Sequence, residues 1–242
     1  TYEGEWKMDM KHGKGIFISS EGEHYEGYWK ENLKHGMGEI DFNNGNIYKG
    51  NWIEDSMHGE GELIYNNGDR YKGNLVKGLK QGNGIYKYSN GEKYDGMWSN
   101  DMKMGQGNYS YKNGNIYRGE WKNNLRHGEG IFTKNNGDIY EGNWLDDKYN
   151  GKGVLKYANG DVYIGDWVND LKTGNGKITY SNGDTYDGNW KENIKSGKGI
   201  ATFITDGIVY EGNFKDGVFH GEGFYQLSIG DSYEGEWKNG KR

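Results

Sequence analysis

Bulky apolar positions and bare glycine positions recur along the chain in a fixed order. If an opening tyrosine is called offset 0, glycine follows at offset 2, tryptophan at 4, glycine at 11 and 13, and glycine again at 20. Tyr117, Gly119 and Trp121 begin one copy of this order, and Tyr140 begins the next. A unit of roughly 20 to 50 residues that repeats in phase is typical of a solenoid or array.

The opening tyrosine marks ten full units and the start of an eleventh. Its period is 23 residues, interrupted only by one inserted residue between Gly199 and Gly207. All nine tryptophans occupy offset 4, where Leu75 and Phe214 fill the two remaining places. The glycines outside the four glycine offsets are Gly78, Gly217 and Gly240. We expect one continuous array over residues 1–242, with units that open at Tyr2, Tyr25, Tyr48, Tyr71, Tyr94, Tyr117, Tyr140, Tyr163, Tyr186, Tyr210 and Tyr233.

Each unit has two halves in which side chains alternate with period two. Tyr140, Gly142 and Trp144 therefore share one face of an extended strand, and Gly151 and Gly153 share one face of a second strand. Asn-Gly tracts follow the second strand, and they favour hairpin turns because Asn and Gly tolerate positive φ. Each unit thus predicts a β-hairpin, and the whole chain predicts a meander of about twenty-one strands.

We predict an all-β fold, an elongated single-layer antiparallel β-meander solenoid of hairpin repeats that twists into a rod. Helices are disfavoured because glycine, at about 1 kcal/mol each, recurs in every possible helical window. The chain contains no proline, as a continuous ladder requires. A single layer must bury its aromatic rings against itself, and glycine at offsets 2, 11 and 13 offers positions without a side chain for them.

Composition and charge restrict the partners of such an array. Hydrophobic residues make up 32% of the chain and the formal net charge is −6, which argues against nucleic acid and against bulk attraction to anionic lipid. No cysteine is present, which favours a reducing, cytoplasmic compartment. No apolar run is long enough to cross a membrane. The chain begins at a repeat boundary without Met, so we interpret it as a fragment of a longer protein.

The motif carried by every unit resembles the MORN repeat (membrane occupation and recognition nexus). It reads YEGEW, a polar turn and HGKG from Tyr2 to Gly15, and the same pattern recurs from Tyr117 to Gly130. The resemblance covers the whole chain and implies a cytoskeletal scaffold or one apposed to the cytoplasmic face of a membrane. In the family, phospholipid binding is proposed for some members, and protein binding and self-association for others. A long uninterrupted array is similar to the MORN-repeat scaffold of apicomplexan parasites, which would place it at division structures and the basal complex.

Histidine forms a row that resembles a metal ladder. Equivalent offsets in adjacent units lie about 10 Å apart, whereas the nitrogen ligands of one zinc lie within about 4 Å of each other. We therefore interpret the row as turn capping or packing, and we expect no cofactor within one chain. An interfacial zinc that uses His220 or His24 in an oligomer is the alternative. The five histidines at offset 10 are His12, His35, His58, His127 and His220.

Offset 9 is mostly basic, and a row of cations about 10 Å apart suits anionic phospholipid headgroups or an acidic partner. Acidic residues at offsets 1 and 21, such as Glu26, Glu141, Asp138 and Asp161, compete with this interpretation, because they are placed to neutralise the row across strands. A solvated face is then the simpler interpretation. The row consists of Lys11, Lys34, Lys80, Lys103, Arg126, Lys172 and Lys195.

Catalytic motifs are missing from the sequence. It has no Gly-rich loop with GK[ST], no HExxH, no cysteine nucleophile, and no serine at a recognisable spacing from a histidine and an acid. We therefore predict a non-enzymatic scaffold that binds protein partners of a cytoskeletal or membrane-apposed assembly such as a cell-division complex. A phospholipid-binding module is the alternative function, and the repeat half of an enzyme is a third.

The last units carry unusual apolar residues, among them Leu227 and Ile229. Because a meander leaves an unpaired strand at its end, this region favours association. We predict a homodimer through the C-terminal repeats, with local compensation for the missing tryptophan at Phe214 as the alternative. The predicted interface consists of Tyr210, Phe214, Val218, Phe219, His220, Phe224, Tyr225, Tyr233 and Trp237.

Overall fold

Strands and tight turns make up the computed structural model, which describes residues 1–228 and 230–242. These residues contain no helix, and hence none of the length and apolarity that would span a membrane. Residue contacts divide the chain into two compact units, Thr1–Leu125 and Arg126–Arg242. Of the apolar C-terminal residues singled out above, Leu227 ends a strand and Ile229 lies outside the described residues.

The first unit is built from the hairpins of the first repeats. Its strands are β1 (Tyr2–Lys7), β2 (Met10–Ile18), β3 (His24–Lys30), β4 (Leu33–Asp41), β5 (Ile47–Ile53), β6 (Ser56–Ile64), β7 (Arg70–Val76), β8 (Leu79–Lys87), β9 (Lys93–Ser99), β10 (Met102–Ser110) and β11 (Ile116–Lys122). Each of them pairs antiparallel with the strands that precede and follow it in this unit.

The second unit repeats this arrangement. Its strands are β12 (Leu125–Thr133), which begins at the last residue of the first unit, β13 (Ile139–Leu145), β14 (Lys148–Lys156), β15 (Val162–Val168), β16 (Leu171–Thr179), β17 (Thr185–Lys191), β18 (Ile194–Phe203), β19 (Ile208–Lys215), β20 (Val218–Leu227) and β21 (Ser232–Trp237). Sequence neighbours again pair antiparallel. The predicted all-β antiparallel meander is confirmed.

Glycines face each other across every strand pair of the repeat. Gly142 on β13 pairs with Gly130 on β12 and with Gly153 on β14, so that rows of bare positions cross the strands. The register then shifts by a bulge between Gly142 and Trp144. Bulges increase local twist and re-aim side chains, and here the extra residues lie on β14, where they bring Tyr149 opposite Trp144.

The two connections of a repeat differ in backbone conformation. The polar connection between its two strands has positive φ at both central residues, for example 51° at Glu31 and 69° at Asn32, which is the signature of a type I′ hairpin turn. The sequence predicted hairpin turns at the Asn-Gly tracts. These tracts have positive φ only at glycine, such as 88° at Gly68. Gly78 and its two equivalents, the glycines outside the regular offsets, occupy the second left-handed position of the type I′ turns.

The opening tyrosines form the core. Tyr25 is fully buried, and a Cβ added at Gly38 would lie 2.6 Å from its ring carbon Cε2, so glycine at offset 13 provides the slot for this ring. Offset 2 faces the same ring. Glycine at offset 11 has another role, because Gly59 has φ +67° and a Cβ there would point to Asn51 on the opposite face. The expectation that offset 11 also accommodates a ring is therefore wrong.

Tryptophans link neighbouring repeats around each tyrosine. The Tyr25 ring meets Trp29 of its own repeat at 5.1 Å and Trp52 of the next repeat at 5.5 Å, both edge to face. Such pairs stabilise by roughly 0.5 to 1.5 kcal/mol beyond the burial of their area. Trp52 Nε1 also donates a hydrogen bond to the carbonyl of Gly38 at 3.4 Å. Leu75 replaces tryptophan in one repeat, where it is fully buried but has no N–H to donate.

Candidate binding surfaces

Every strand presents two faces with different chemistry. We call the face of offsets 0, 4, 9 and 15 the aromatic face and the face of offsets 1, 3, 12 and 14 the variable face. In the repeat that opens at Tyr140, the aromatic face carries Tyr140, Trp144, Tyr149 and Leu155, and the variable face carries Glu141, Asn143, Lys152 and Val154.

The basic row lies on the aromatic face, where its charged ends rest over rings. Lys103 Nζ is 4.3 Å from the ring centre of Tyr109 and 5.0 Å from that of Trp121, and Arg126 Cζ is 4.3 Å from that of Trp144. Such contacts stabilise by roughly 0.5 to 2 kcal/mol. Only 13% of the Lys80 side chain and 17% of the Arg126 side chain are exposed. For these residues the solvated-face interpretation is wrong.

Aromatic side chains take the place of the cation in two repeats. Tyr149 stacks on Tyr140 with ring centres 3.6 Å apart, and Phe219 stacks on Tyr210 at 3.8 Å, each with an interplanar angle of 11°. Offset 9 therefore covers the opening tyrosine, whether the cover is a cation or a ring. Its first role is in packing between repeats.

Acidic and amide side chains at offset 7 of the following repeat complete this row. Lys34 N donates to Asp55 Oδ1 at 2.8 Å, and Asp55 N donates back to the Lys34 carbonyl at 3.1 Å. Lys80 Nζ pairs with Asp101 at 2.9 Å, and Arg126 Nε pairs with its own partner at 2.8 Å. These partners, Asp101 and Asp147, lie at offset 7, so the expectation that acids at offsets 1 and 21 pair with these two cations is wrong.

The acids at offset 21 instead cap turns. Asp138 Oδ1 accepts a hydrogen bond from Ala158 N at 3.0 Å, in the Asn-Gly turn of the next repeat. That hydrogen bond is the main reason why the pKa of Asp138 is lowered. The acids at offset 1, such as Glu141, lie on the variable face. The spacing of the acids at offsets 1 and 21 therefore did not indicate where their side chains lie in the structure.

Burial changes the acidity of the opening tyrosines. Loss of hydration raises the pKa of Tyr48 and of Tyr186 to about 12, because the ionised phenolate is poorly solvated in the core. Each hydroxyl also donates to the backbone, as in the 2.8 Å bond from Tyr48 Oη to the carbonyl of Asn51. These groups are structural at neutral pH, because the protonated hydroxyl is the form that donates this bond.

Two grooves with glycine floors lie on the variable face. The first, of about 680 Å³, belongs to the first unit and has Tyr28 and Met37 on its walls, 44% and 56% exposed. The second, of about 600 Å³, belongs to the second unit and has Ile200 and Phe224 on its walls, 43% and 37% exposed. Sequence reasoning missed both grooves, because their walls are side chains from several repeats that come together only in the paired sheet.

Eleven consecutive segments of the chain match the MORN repeat, namely residues 2–24, 25–47, 48–70, 71–93, 94–116, 117–139, 140–162, 163–185, 186–207, 210–232 and 233–242. The chain belongs to the MORN-repeat family. The predicted family is thus confirmed, and no curated protein matches the chain.

Solved structures to which the chain is similar include two domains in complex with partner peptides. The TCP10 domain of Danio rerio CPAP, in complex with a peptide of Danio rerio STIL, has 11% identity and a TM-score of 0.49, and the match covers 98% of this chain and 100% of that one. The TCP domain of Drosophila melanogaster SAS-4, in complex with a proline-rich motif of Ana2, has 12% identity and a TM-score of 0.28, with 93% and 90% covered. At these values the likeness carries no argument about function.

Within the MORN repeats, the histidine row does not converge. Among the described residues, no group of three or more His, Cys, Asp or Glu side chains is placed to hold a metal ion. His127 Nδ1 and His220 Nδ1 are buried without a hydrogen-bond partner, although Asp146 Oδ1 lies 3.5 Å from the first. An interfacial zinc at His220 on β20 or His24 on β3 stays a prediction.

The predicted dimer residues of the last MORN repeats divide into three groups by burial. Tyr210 is fully buried, and Phe214 and Trp237 are 5% exposed, because these residues form the core of their own repeats. Phe219, His220, Tyr225 and Tyr233 are half-buried. Val218 and Phe224 are more than one third exposed, at 42% and 37%. Association through these repeats would therefore use the latter pair.

Proposed function

We propose that this continuous array of MORN repeats is a non-enzymatic scaffold that binds segments of partner proteins in the grooves of its variable face. The observation that carries the proposal is the pair of glycine-floored grooves with exposed Tyr28 and Met37 in one and Ile200 and Phe224 in the other. Aromatic residues and Met are enriched at protein interfaces, where they supply contact area and adaptable packing. The floor on this face is strand backbone, because a Cβ on these glycines would point to the tyrosine ring on the other face, and a partner backbone can approach the sheet there.

The charges of the two grooves point to different partner segments. The groove of the first unit has mixed charge, and its Lys49 Nζ is paired with Glu39 Oε1 at 2.8 Å. The groove of the second unit is acidic, since four carboxylates face one lysine. Its partner segment should therefore combine basic and apolar side chains. The charged residues of the second groove are Asp187, Glu211, Glu222, Glu234 and Lys198.

Selection from a displayed library of random peptides tests this function. We expect the chain to enrich basic peptides with apolar anchors, and Ile200→Ser with Phe224→Ser to weaken them at least tenfold in fluorescence anisotropy. Ile164→Ser is the matched control, because Ile164 lies on the variable face outside the second groove and is 55% exposed. Failure to enrich any peptide, or equal binding by the groove variant with intact thermal unfolding, would contradict the proposal.

Our finer proposal is a homodimer through the C-terminal repeats that acts in a cytoskeletal or membrane-apposed assembly, such as a cell-division or basal complex on the cytoplasmic side. The exposed Val218 and Phe224 and the resemblance to long parasite arrays support it. Sedimentation equilibrium should give twice the chain mass, and Val218→Asp should return the monomer. A monomer at high protein concentration for the unsubstituted chain would rule out the dimer.

Phospholipid binding through the basic row is the alternative function. The observation in its favour is that Lys172 and Lys195 have no carboxylate at offset 7 of the next repeat, where Asn193 and Gly217 stand. Co-sedimentation with phosphoinositide liposomes and with neutral phosphatidylcholine liposomes distinguishes this function from the scaffold. The alternative requires binding to the first alone, together with its loss when Lys172 and Lys195 are replaced.

A further inference from the structure

Two consecutive cations of the basic row have no acidic partner. Lys80 and Arg126 are each paired with an aspartate at offset 7 of the following repeat. At that offset Lys172 faces Asn193, whose Oδ1 accepts a hydrogen bond only from the backbone N–H of Lys172, at 2.9 Å. Lys195 faces Gly217, which has no side chain. Over the described residues, no carboxylate lies within ion-pair distance of either ammonium group. The second unit therefore contains two unpaired positive charges. At the equivalent positions of Lys80 and Arg126, Asp101 and Asp147 neutralise the charge.

Lys172 is also the buried lysine of the described chain, with 9% of its surface exposed. Its Nζ lies 4.8 Å from the ring centre of Tyr163 and 5.2 Å from that of Trp190. Burial lowers the pKa of Lys172, the Asp161 carboxylate opposes this shift, and the positive charge of Lys195 adds to it. A desolvated ammonium group without a counterion is unfavourable, and an incoming anion relieves that cost.

Both lysines line open grooves. Lys172 lines a groove of about 610 Å³ on the aromatic face, whose walls include Trp144, Tyr149 and Trp167. Because Tyr149 stands where most repeats place a cation, this groove has an aromatic wall next to Lys172. Lys195 lines a second groove of about 470 Å³. The two lysines thus combine charge with stacking surfaces along the row.

The spacing of the two lysines selects the ligand. Lys172 lies on β16 and Lys195 on β18, so they are two strands, or about 10 Å, apart. An extended peptide covers about 10 Å in three residues. We propose that the aromatic face of the second unit binds an acidic segment of a partner protein, with carboxylates three residues apart paired to Lys172 and Lys195.

Nearby acids favour an acidic peptide over a membrane. Asp170 lines the groove of Lys172, and Asp161 and Asp184 line the groove of Lys195. A flat anionic membrane would press headgroups against these carboxylates, whereas a peptide places single charges at the lysines. This site lies on the face opposite to the glycine-floored groove of the second unit. It adds a second partner chemistry and does not depend on binding in those grooves.

Fluorescence anisotropy with a labelled peptide that carries Glu at every third position tests the inference. We expect saturable binding that weakens with salt and is absent for the matching Gln peptide. Lys172→Met with Lys195→Met should weaken binding at least tenfold, and Lys→Arg at both positions should retain it. Met is a suitable replacement because Met57 occupies offset 9 in another repeat. The control is Lys80→Met, which removes a cation already paired to Asp101 and should leave the affinity unchanged.

Three results would overturn the inference. They are no saturable binding of the Glu peptide to the unsubstituted chain, equal affinity for the Gln peptide, and unchanged affinity of the double Met variant. Vesicles of phosphatidylserine and phosphatidylcholine provide the remaining arm. If vesicles bind through the two lysines while the Glu peptide does not, the site is a membrane site and the inference is wrong. Near-UV circular dichroism shows whether each variant is folded.

Discussion

The aromatic face and the variable face belong to the same strands, yet only the first is nearly the same in every repeat. Its opening tyrosine fills a slot above two glycines, so that neither ring nor slot can change alone. On the variable face, offset 3 is Tyr28 in one repeat, Met97 in another and Asp166 in a third. No comparable slot holds these side chains. The repeated residues therefore build the fold, and the residues that differ are candidates for binding.

A second contrast lies within the aromatic face itself. Lys80 and Lys172 occupy the same offset and rest over equivalent rings. The first has Asp101 as a counterion and the second has the neutral Asn193. Both rest over rings, so the counterion of Lys80 and the open groove beside Lys172 are what separate a structural cation from a candidate binding cation.

Alkaline pH should have the largest effect, because it should destabilise the packing of the aromatic face. The folded pKa of Tyr48 and of Tyr186, at about 12, lies above the ordinary value of 10. The stability contributed by these tyrosines is thus complete below pH 10 and is lost as pH rises through the folded values. We expect the urea midpoint to be constant from pH 8 to about 9.5 and to fall steeply above pH 10. A midpoint that stays level up to pH 12 would contradict this account of the core.

Removal of one tryptophan should cost nearly as much. Trp52→Ala deletes the edge-to-face contacts with Tyr25 and Tyr48 and the bond to Gly38, and we expect a loss of about 3 to 5 kcal/mol in the free energy of unfolding. Met37→Ala on the variable face, at a side chain that is 56% exposed, should change it by less than about 0.5 kcal/mol. Urea denaturation of both variants measures the difference, and equal losses would remove the distinction between the faces.

A methyl group in the tyrosine slot should have the next largest effect. A Cβ at Gly61 would lie 2.6 Å from Tyr48 Oη, and the backbone there is not left-handed, so the effect of Gly61→Ala is purely steric. We expect a loss of about 3 kcal/mol in unfolding free energy. Gly22→Ala is the control, because its Cβ meets nothing within 4 Å and only its φ of +93° opposes alanine. Gly22→Ala should lower the free energy of unfolding by about 1 to 2 kcal/mol. A loss larger than that of Gly61→Ala would show that backbone conformation matters more than the space in the tyrosine slot.

The smallest expected effect is a gain in stability at the offset 7 position. Gly78 offers no side-chain oxygen to the amide N–H of Met57, whereas Asn32 accepts the equivalent bond from Lys11 at 2.8 Å. Asn32 itself has φ 69°, close to the 81° of Gly78. Gly78→Asn should therefore raise the unfolding free energy by about 0.5 to 1 kcal/mol. Gly78→Ala, which lacks the acceptor, should lower it, and thermal unfolding of the two variants gives the comparison.

Much of the fold could be predicted because its determinants are local. The period, the strand pairs and the tyrosine slots follow from alternation in one repeat, and Tyr140, Gly142 and Trp144 fall on one face as expected. The type I′ turns were not predicted, because their central residues, such as Glu31 and Asn32, are not glycines. These residues adopt positive φ because the strands on either side of the turn pair with each other. The candidate sites were largely missed for a related reason, because the charge balance of Lys172 is decided by Asn193, 21 residues later in the chain.

The sequence by itself determined the family, the antiparallel meander and the core of tyrosine, tryptophan and glycine, because a strict period makes each local preference repeat until only one fold agrees with all of them. Tertiary structure alone decided which cations are paired, which apolar residues stay exposed and where grooves form. Offset 9 and offset 7 meet only after neighbouring hairpins pair, and the bulge on β14 brings Tyr149 opposite Trp144 and over the Tyr140 ring. Those contacts cross repeats, so no single unit contains the information to place them.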